Sequence, residues 1–368
     1  MKDRTQRSLG KRIAFAFIRW FLRLLLVLFT VVVLVVGALY FVCDLIFNGP
    51  SESARDVLTM SMLESSGMKW CPALFIGEEK VQEIQTKVST PLPDDVSDSS
   101  QITINTDHSI TPGSEWENSP DGIIIKHFGG NTYSAHIMLI RDPSKVFVAT
   151  STDSFSHDKP GVSIYTQIQL ENAIAGVNAG AFVDPSPTGK AGGVPIGLVV
   201  SKGKILWDDK RSYDGFVGFN TDNILVVANT MTAQQAKELN IRDGCCFGPV
   251  LIMNNNINQE AYNDASGYNP RTAIGQRADG TVILLCIDGR QAGSLGGTYA
   301  DVIDIMVEYG AVNACNLDGG SSSIMLYHDR HGIYGAKNEL VMINNYSLLQ
   351  QYPRGMPTFF MVRSSEED

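Results

Sequence analysis

Two aspartates, each followed directly by a glycine, are the residues of this chain best placed to do chemistry. Asp288 follows the apolar run Val282–Ile287, and Asp318 follows the apolar run Val312–Leu317. Both runs are rich enough in β-branched and apolar residues to predict buried strands, and the segment Thr298–Tyr309 between them has helical spacing. A strand, a crossover helix and a second strand form a parallel βαβ unit, whose strands end at one edge of the sheet. We therefore expect both aspartates on one rim, where such sheets bind ligands.

Residues suited to binding a sugar phosphate surround this expected rim. Arginine offers a planar fork that fits phosphate, and glycines at a helix start leave N–H groups free for an anion. The candidates for binding the substrate and its phosphate are Asn178, Arg271, Arg290, Gly296, Gly297, Thr298, Gly319, Gly320, Ser321 and Ser322. Three plainer interpretations stay open: a capping box that only starts a helix, arginines in structural ion pairs, and a serine-capped turn.

The sequence favours no metal or other cofactor. It contains no CxxC, HExxH or His-x-His spacing, the patterns typical of zinc sites. The six histidines are scattered, with His328 and His331 nearest the expected rim, and we expect a surface role for all of them. Of the six cysteines, Cys71 and either Cys245 or Cys246 could end one or two disulfides, which the sequence does not pair.

An uncharged apolar segment near the N-terminus predicts one transmembrane helix. Residues 24–43 are free of charge, and about 20 such residues suffice to cross a bilayer. A cleaved signal peptide is the alternative, although its apolar region is usually shorter. Residues 1–43 carry seven basic side chains and one acidic one, so residues 1–23 are expected in the cytoplasm and the remainder outside.

The remainder of the chain is acidic, and its composition and predicted secondary structure change near residue 122. Residues 44–368 carry a net charge of −16, which argues against nucleic acid as a partner. Residues 44–121 are expected to hold two juxtamembrane helices, at 51–63 and 78–88, and a flexible linker rich in Ser, Thr, Pro, Asp and Asn. Residues 122–368 show many short β-like runs and few helices. They predict one strand-rich catalytic domain of the α+β or mixed α/β class, with the βαβ unit at 282–317.

An ordered set of segments resembles the phosphodiester glycosidase family. The segments are Gly176–Phe182, Gly248–Leu251, Asn269–Gly275, Asp288–Arg290, Gly296–Tyr309 and Asn316–Ser323. The resemblance implies a hydrolase that cleaves a sugar 1-phosphodiester at the anomeric C–O bond, with a glycan phosphodiester as its substrate. Together with the predicted span, it indicates a bacterial membrane-anchored form that acts outside the cytoplasm on cell-surface or exopolysaccharide glycans.

The paired aspartates suit that chemistry. Glycosyl transfer passes through an oxocarbenium-like state and typically uses two carboxylates, so Asp288 and Asp318 are the candidate catalytic residues. Arginine and main-chain donors would stabilise the departing phosphate, although one aspartate could instead be structural. Two other classes stay open: a non-catalytic cell-wall glycan-binding module, and a phosphodiesterase that cuts the P–O bond, a reaction that usually employs metal-ligand clusters.

Overall fold

The computed structural model describes residues 2–364, apart from residues 64–67, 86–91, 108–111, 120, 185–191, 211–214, 265–266, 292, 336 and 346–352. The chain divides into two compact units, Met1–Gln85 and Thr86–Asp368.

Unit 1 is helical. Its helices are α1 (Lys2–Phe47), α2 (Glu52–Leu63) and α3 (Cys71–Gln85), where α3 contains a non-helical Gly77. Within α1, Phe17–Phe47 is long and apolar enough to cross a membrane, and a signal sequence would meet the same criterion. The non-helical Gly77 divides α3, so a helical segment begins at the expected position 78. The helical residues before Gly77 were not expected; they include the apolar Cys71 and Phe75, which pack with Phe47 and Met62.

Unit 2 is rich in strands, with seventeen among its described residues. They are β1 (Ile123–Gly129), β2 (Ser134–Ile140), β3 (Val146–Thr150), β4 (Ala173–Asn178), β5 (Leu198–Ser201), β6 (Lys204–Asp208), β7 (Phe216–Asn220), β8 (Leu225–Ala228), β9 (Ile241–Cys246), β10 (Val250–Met253), β11 (Asn256–Ile257), β12 (Arg271–Arg277), β13 (Val282–Ile287), β14 (Ala311–Leu317), β15 (Met325–Asp329), β16 (Glu339–Met342) and β17 (Thr358–Arg363). The helices of this unit are α4 (Ile164–Leu170), α5 (Ala233–Glu238), α6 (Gln259–Asn263) and α7 (Tyr299–Glu308).

Three antiparallel sheets enclose one apolar core. Their strand orders are β1-β2-β13-β12-β14-β10-β11, β16-β15-β4-β17-β3 and β6-β5-β9-β7-β8. Side chains from all three sheets fill the shared core, including Leu284, Val177 and Val217. The opposite face of each sheet packs with a helix: α7 on the first, α4 on the second and α5 on the third. The predicted strand-rich mixed α+β class is therefore confirmed.

The predicted βαβ unit is present with one addition. Strands β13 and β14 each pair antiparallel with β12, so they run parallel to each other but are not neighbours. Register places Arg271 opposite Ile287 and Thr272 opposite Leu317. The ends of β13 and β14 are thus two strand spacings apart, about 10 Å.

Some elements were not apparent in the sequence. Strand β9 contains Arg242, Asp243 and Gly244 and shows no apolar alternation. Part of the segment expected as a flexible linker belongs to unit 2 and packs within it: Val96 bridges to Ala228, and Ile102 is buried. All six cysteines are free thiols in the structure.

Candidate active site

The two Asp-Gly turns meet on either side of Pro270, which immediately precedes β12. A Cβ added to Gly289 would lie 2.7 Å from the Pro270 nitrogen, and one added to Gly319 would lie 2.8 Å from the Pro270 oxygen. The Gly320 N–H also donates to that oxygen at 2.9 Å. Because no Cβ fits on either side, a glycine follows each aspartate, and Pro270 fixes the spacing between the turns.

Asp288 is buried and held by several donors. Its Oδ1 accepts a hydrogen bond from the main-chain N–H of Asn345 at 2.9 Å, and its Oδ2 accepts one from the Asn345 side-chain amide at 2.7 Å. The same Oδ2 lies 3.0 Å from His136 Nε2. Ser294 donates to the main-chain oxygen of Asp288 at 2.6 Å. The carboxylate is therefore fixed in one orientation.

The segment after β16 connects the two turns. Asn345 binds Asp288, while the neighbouring Asn344 donates to the Ser323 main-chain oxygen at 3.2 Å. Asn344 also accepts from the Met325 N–H at 2.8 Å. One pair of asparagines thus ties the turn after β13 to the segment after β14.

Asp318 has a different environment. Burial raises the pKa of its carboxyl to about 6, and the Ser322 side chain, the Arg354 guanidinium and the Gly319 amide only partly offset this effect. The Gly319 N–H donates to its Oδ1 at 3.0 Å. Since Asp288 accepts hydrogen bonds on both oxygens and Asp318 has a raised pKa, the two carboxyls are suited to different roles.

Arg354 lies beside Asp318 on the loop before β17. It forms an ion pair with Asp184, donates to Ser321 Oγ at 3.2 Å, and stacks its guanidinium 4.9 Å from the centre of the Phe182 ring. Its side chain is 17% exposed, so the guanidinium remains within reach of a ligand.

Asn178 and Arg271 are brought to the rim but are engaged with the protein. Asn178 donates to the Asp318 main-chain oxygen and accepts from Thr272 Oγ1 at 2.9 Å. Arg271 is buried, donates to the main-chain oxygens of Gly267 and Gly297 at 3.1 Å, and lies 4.1 Å from the centre of the Tyr299 ring. Both placements favour a positioning role.

The start of α7 is hydrogen-bonded within the protein. The Gly296 N–H donates to Thr132, the Gly297 N–H donates to Asn269, and the Thr298 N–H donates to Asp301. Thr298 and Asp301 form the predicted capping box. These three amides therefore have partners already, which weakens the expectation of an anion site here.

The remaining predicted residues differ in accessibility. Arg290 is exposed at a positive φ of 58° and donates to Asn269 at 2.7 Å. Gly319, Gly320, Ser321 and Ser322 form the turn after Asp318, with a short 3-10 helix at Gly320–Ser322. Among the described residues, the buried oxygens Asn316 Oδ1 and Ser323 Oγ have no hydrogen-bond partner. Such atoms close to the rim are available to a bound hydroxyl or water.

Sequence analysis missed His136, Asn345 and Arg354. The expectation of a surface role for every histidine was wrong for His136, which is 6% exposed and contacts Asp288. The one available signal was its place inside the apolar run of β2. Among the described residues, no group of three or more His, Cys, Asp or Glu side chains is arranged to hold a metal ion.

Comparisons with known proteins identify a family. A family model described as phosphodiester glycosidase matches residues 171–363. The SPbeta prophage-derived uncharacterized protein YomE of Bacillus subtilis (strain 168) is 27% identical over 169 residues. That match covers 44% of this chain and 25% of YomE, so the chain spans about a quarter of that relative's length.

One solved structure shares the fold, and a second is similar at a lower score. The catalytic domain of zebrafish N-acetylglucosamine-1-phosphodiester alpha-N-acetylglucosaminidase, auto-inhibited by its pro-peptide, matches with a TM-score of 0.52 at 20% identity, covering 67% of this chain and 85% of that one. A hypothetical protein from Synechocystis matches with a TM-score of 0.43 at 14% identity, covering 66% of this chain and 62% of the other. The family match covers half of the chain and includes both strand-end aspartates and Arg354. It confirms the resemblance inferred from the sequence: the chain belongs to the phosphodiester glycosidase family.

Proposed function

We propose that this protein hydrolyses a sugar 1-phosphodiester at the anomeric C–O bond, releasing the free sugar and a phosphomonoester. The observation that carries the proposal is the pairing of a high-pKa carboxyl, Asp318, with a ring-stacked arginine, Arg354, on the rim that also holds Asp288. An acid, a cation and a second carboxylate are groups suited to glycosyl transfer from a phosphate.

Asp318 acts as the acid. With a pKa of about 6, its carboxyl keeps a proton in weakly acidic solution, where an ordinary aspartate is ionised. It delivers this proton to the phosphate oxygen that leaves the anomeric carbon. The aglycone then departs as a phosphomonoester.

Arg354 binds the phosphodiester. Its guanidinium is paired with Asp184 in this structure, and because a guanidinium has five N–H donors it can also donate to an anionic phosphate oxygen. Phe182 supports the plane of the guanidinium, and Ser321 fixes one of its nitrogens at 3.2 Å. Arg290, exposed near the same rim, is a second candidate for contact with the phosphate.

Asp288 acts as the ionised carboxylate. Each carboxylate oxygen has about two acceptor positions. Among the described residues, His136 and Asn345 fill both positions of Oδ2, and Asn345 fills one position of Oδ1, which leaves one for a ligand. That position can accept a proton from the attacking water or face the positive charge that develops on the sugar. Asn345 and His136 hold the oxygen in place for either role.

The enzyme is anchored in the membrane by α1, and unit 2 acts outside the cytoplasm on cell-surface or exopolysaccharide glycans. Supporting this arrangement are the apolar segment Phe17–Phe47 and the basic excess that precedes it. Protease added to intact cells should digest unit 2. Full protection of unit 2 in intact cells, with digestion after lysis, would reject this orientation.

The activity is tested with the full chain in detergent. α- and β-linked sugar 1-phosphodiesters are supplied separately, and the products are identified by mass spectrometry and NMR. The wild type should release free sugar from one anomer, Asp318→Asn should lose at least a hundredfold in kcat, and Asp222→Asn, in the exposed turn between β7 and β8, should match the wild type. Absence of turnover on both anomers by folded protein would reject the proposal.

A further inference from the structure

We propose that His127 and His136 form a proton relay that connects Asp288 with solvent and sets the charge of that carboxylate. The proposal rests on the catalytic role given above to Asp288. Both histidines precede residue 171, where the match to the family model begins, so the relay lies in a part of the chain that the family match does not cover.

Strand pairing places the relay in one row. His127 on β1 is directly opposite His136 on β2, and His136 is opposite Cys286 on β13, two residues before Asp288. His127 Nδ1 lies 2.6 Å from His136 Nδ1, and His136 Nε2 lies 3.0 Å from Asp288 Oδ2. The two imidazole rings meet edge to face at 77°.

Exposure changes along the row. His127 is exposed, whereas His136 and Asp288 are 6% and 2% exposed. A proton can therefore enter from water at His127 and reach the buried carboxylate through His136. A histidine pair placed only for packing would not need a continuous series of hydrogen bonds.

The short contact between the two Nδ1 atoms has room for at most one proton. If both Nδ1 atoms carried hydrogen, two N–H groups would point at each other, so at most one imidazole of the pair is cationic. When His136 Nε2–H donates to Asp288, His136 Nδ1 of the neutral ring accepts from His127 Nδ1–H. With both histidines neutral, His127, His136 and the Asp288 carboxylate together carry a charge of −1, and one further proton on the histidine pair brings this charge to 0.

The groups around His127 determine when that proton binds. Partial desolvation of its ring lowers the pKa of His127 although the residue is exposed, the nearby His136 lowers it further, and Asp288 raises it. Cys286 on β13 stays neutral, because burial and then Asp288 raise the pKa of its thiol. Lys126 on β1 lies over the Tyr309 ring, and Asn345 is uncharged. Asp288 is thus the anion to which the pair responds.

The first test is independent of enzymatic activity. The full chain, labelled with ¹⁵N-histidine and held in detergent, is titrated by NMR. We expect His127 and His136 to titrate together, with uptake of one proton by the pair, and the step to move to lower pH in Asp288→Asn, because the attracting anion is gone. Independent uptake of one proton by each imidazole, unaffected by Asp288→Asn, would overturn the relay.

The second test follows kcat across pH. His136→Phe should lower kcat at least tenfold with little change in KM, and His136→Gln should recover part of the loss, since its amide can donate to Asp288 but cannot carry the proton. Both variants should lose the ionisation that the wild type shows on the acidic side. His331→Gln, in the exposed turn after β15, should leave kcat, KM and the pH profile unchanged.

The outcomes separate the two proposals. A coupled NMR titration in a protein that hydrolyses no phosphodiester would refute the proposed function and keep the relay. Hydrolysis by the wild type, with His136→Phe showing an unchanged pH profile, would refute the relay and keep the proposed function.

Discussion

Replacing Asp318 by asparagine should make unit 2 more stable at neutral pH while abolishing hydrolysis. The folded pKa of about 6 exceeds the ordinary value of 3.8 by roughly two units, and each unit corresponds to about 1.4 kcal/mol. The ionised carboxylate therefore costs about 3 kcal/mol of folding free energy above pH 6. As pH falls through 6 toward 4, the folded protein takes up the proton first and this cost shrinks, to about 1 kcal/mol at pH 4.5.

Asp288→Asn should change stability in the opposite direction. Three donor groups from His136 and Asn345 point at that carboxylate, and an asparagine NH2 would face at least one of them. Hydrogen bonds to a charged group contribute about 1.5–3 kcal/mol each to stability, so we expect Asp288→Asn to lower the free energy of unfolding by about 2–4 kcal/mol.

Urea unfolding of the full chain, followed by tryptophan fluorescence at pH 7.5 and pH 4.5, measures both variants. Asp318→Asn should raise the urea concentration at the unfolding midpoint at pH 7.5, and should raise it much less at pH 4.5. Asp288→Asn should lower this midpoint. A destabilised Asp318→Asn at pH 7.5 would refute the reasoning, since Asp318 would then be stabilised as an anion and unsuited to act as the acid.

Three further substitutions probe the rim. Arg354→Lys keeps the charge but loses the planar fork, so KM for the phosphodiester should rise about tenfold or more in initial-rate assays; an unchanged KM would place the phosphate elsewhere. Arg271→Lys loses two hydrogen bonds and a ring contact, so thermal melting should show that the free energy of unfolding falls by about 2–3 kcal/mol while KM stays nearly unchanged. A raised KM in a protein of unchanged stability would show that Arg271 binds the substrate. Gly319→Ala places a Cβ against Pro270, so it should lower the free energy of unfolding by about 1–3 kcal/mol and remove most of the activity. Gly293→Ala has open space around the new Cβ and should change neither stability nor activity. Equal effects of the two variants would refute the role of Pro270.

The rim itself could be predicted from sequence because its determinants are local. Apolar runs that end in Asp288 and Asp318, with a helical pattern between them, require parallel strands whose ends meet at one edge. The sequence did not predict that β12 lies between them, because strand order depends on pairing between distant segments. The glycine after each aspartate acquires its explanation only once Pro270 is found against both.

The missed residues come from segments far away in the chain. His136 and Arg354 reach the rim from β2 and from the loop before β17, and neither segment carries a motif. Arg271 shows the opposite case. Its position in the sequence suggested phosphate binding, but its guanidinium is buried and donates hydrogen bonds to two main-chain oxygens. Residue type and proximity to a motif do not reveal which hydrogen bonds the fold itself requires.

Hydrolysis in oxygen-18 water tests the central proposal, cleavage at the anomeric carbon, most directly. The full chain is incubated with the sugar 1-phosphodiester that it turns over, and the products are analysed by mass spectrometry under conditions where the free sugar does not exchange its anomeric oxygen. Attack at the anomeric carbon places the label in the released sugar and leaves the phosphomonoester unlabelled. Label in the phosphomonoester would show that the P–O bond breaks, and would contradict the roles given to Asp288 and Asp318.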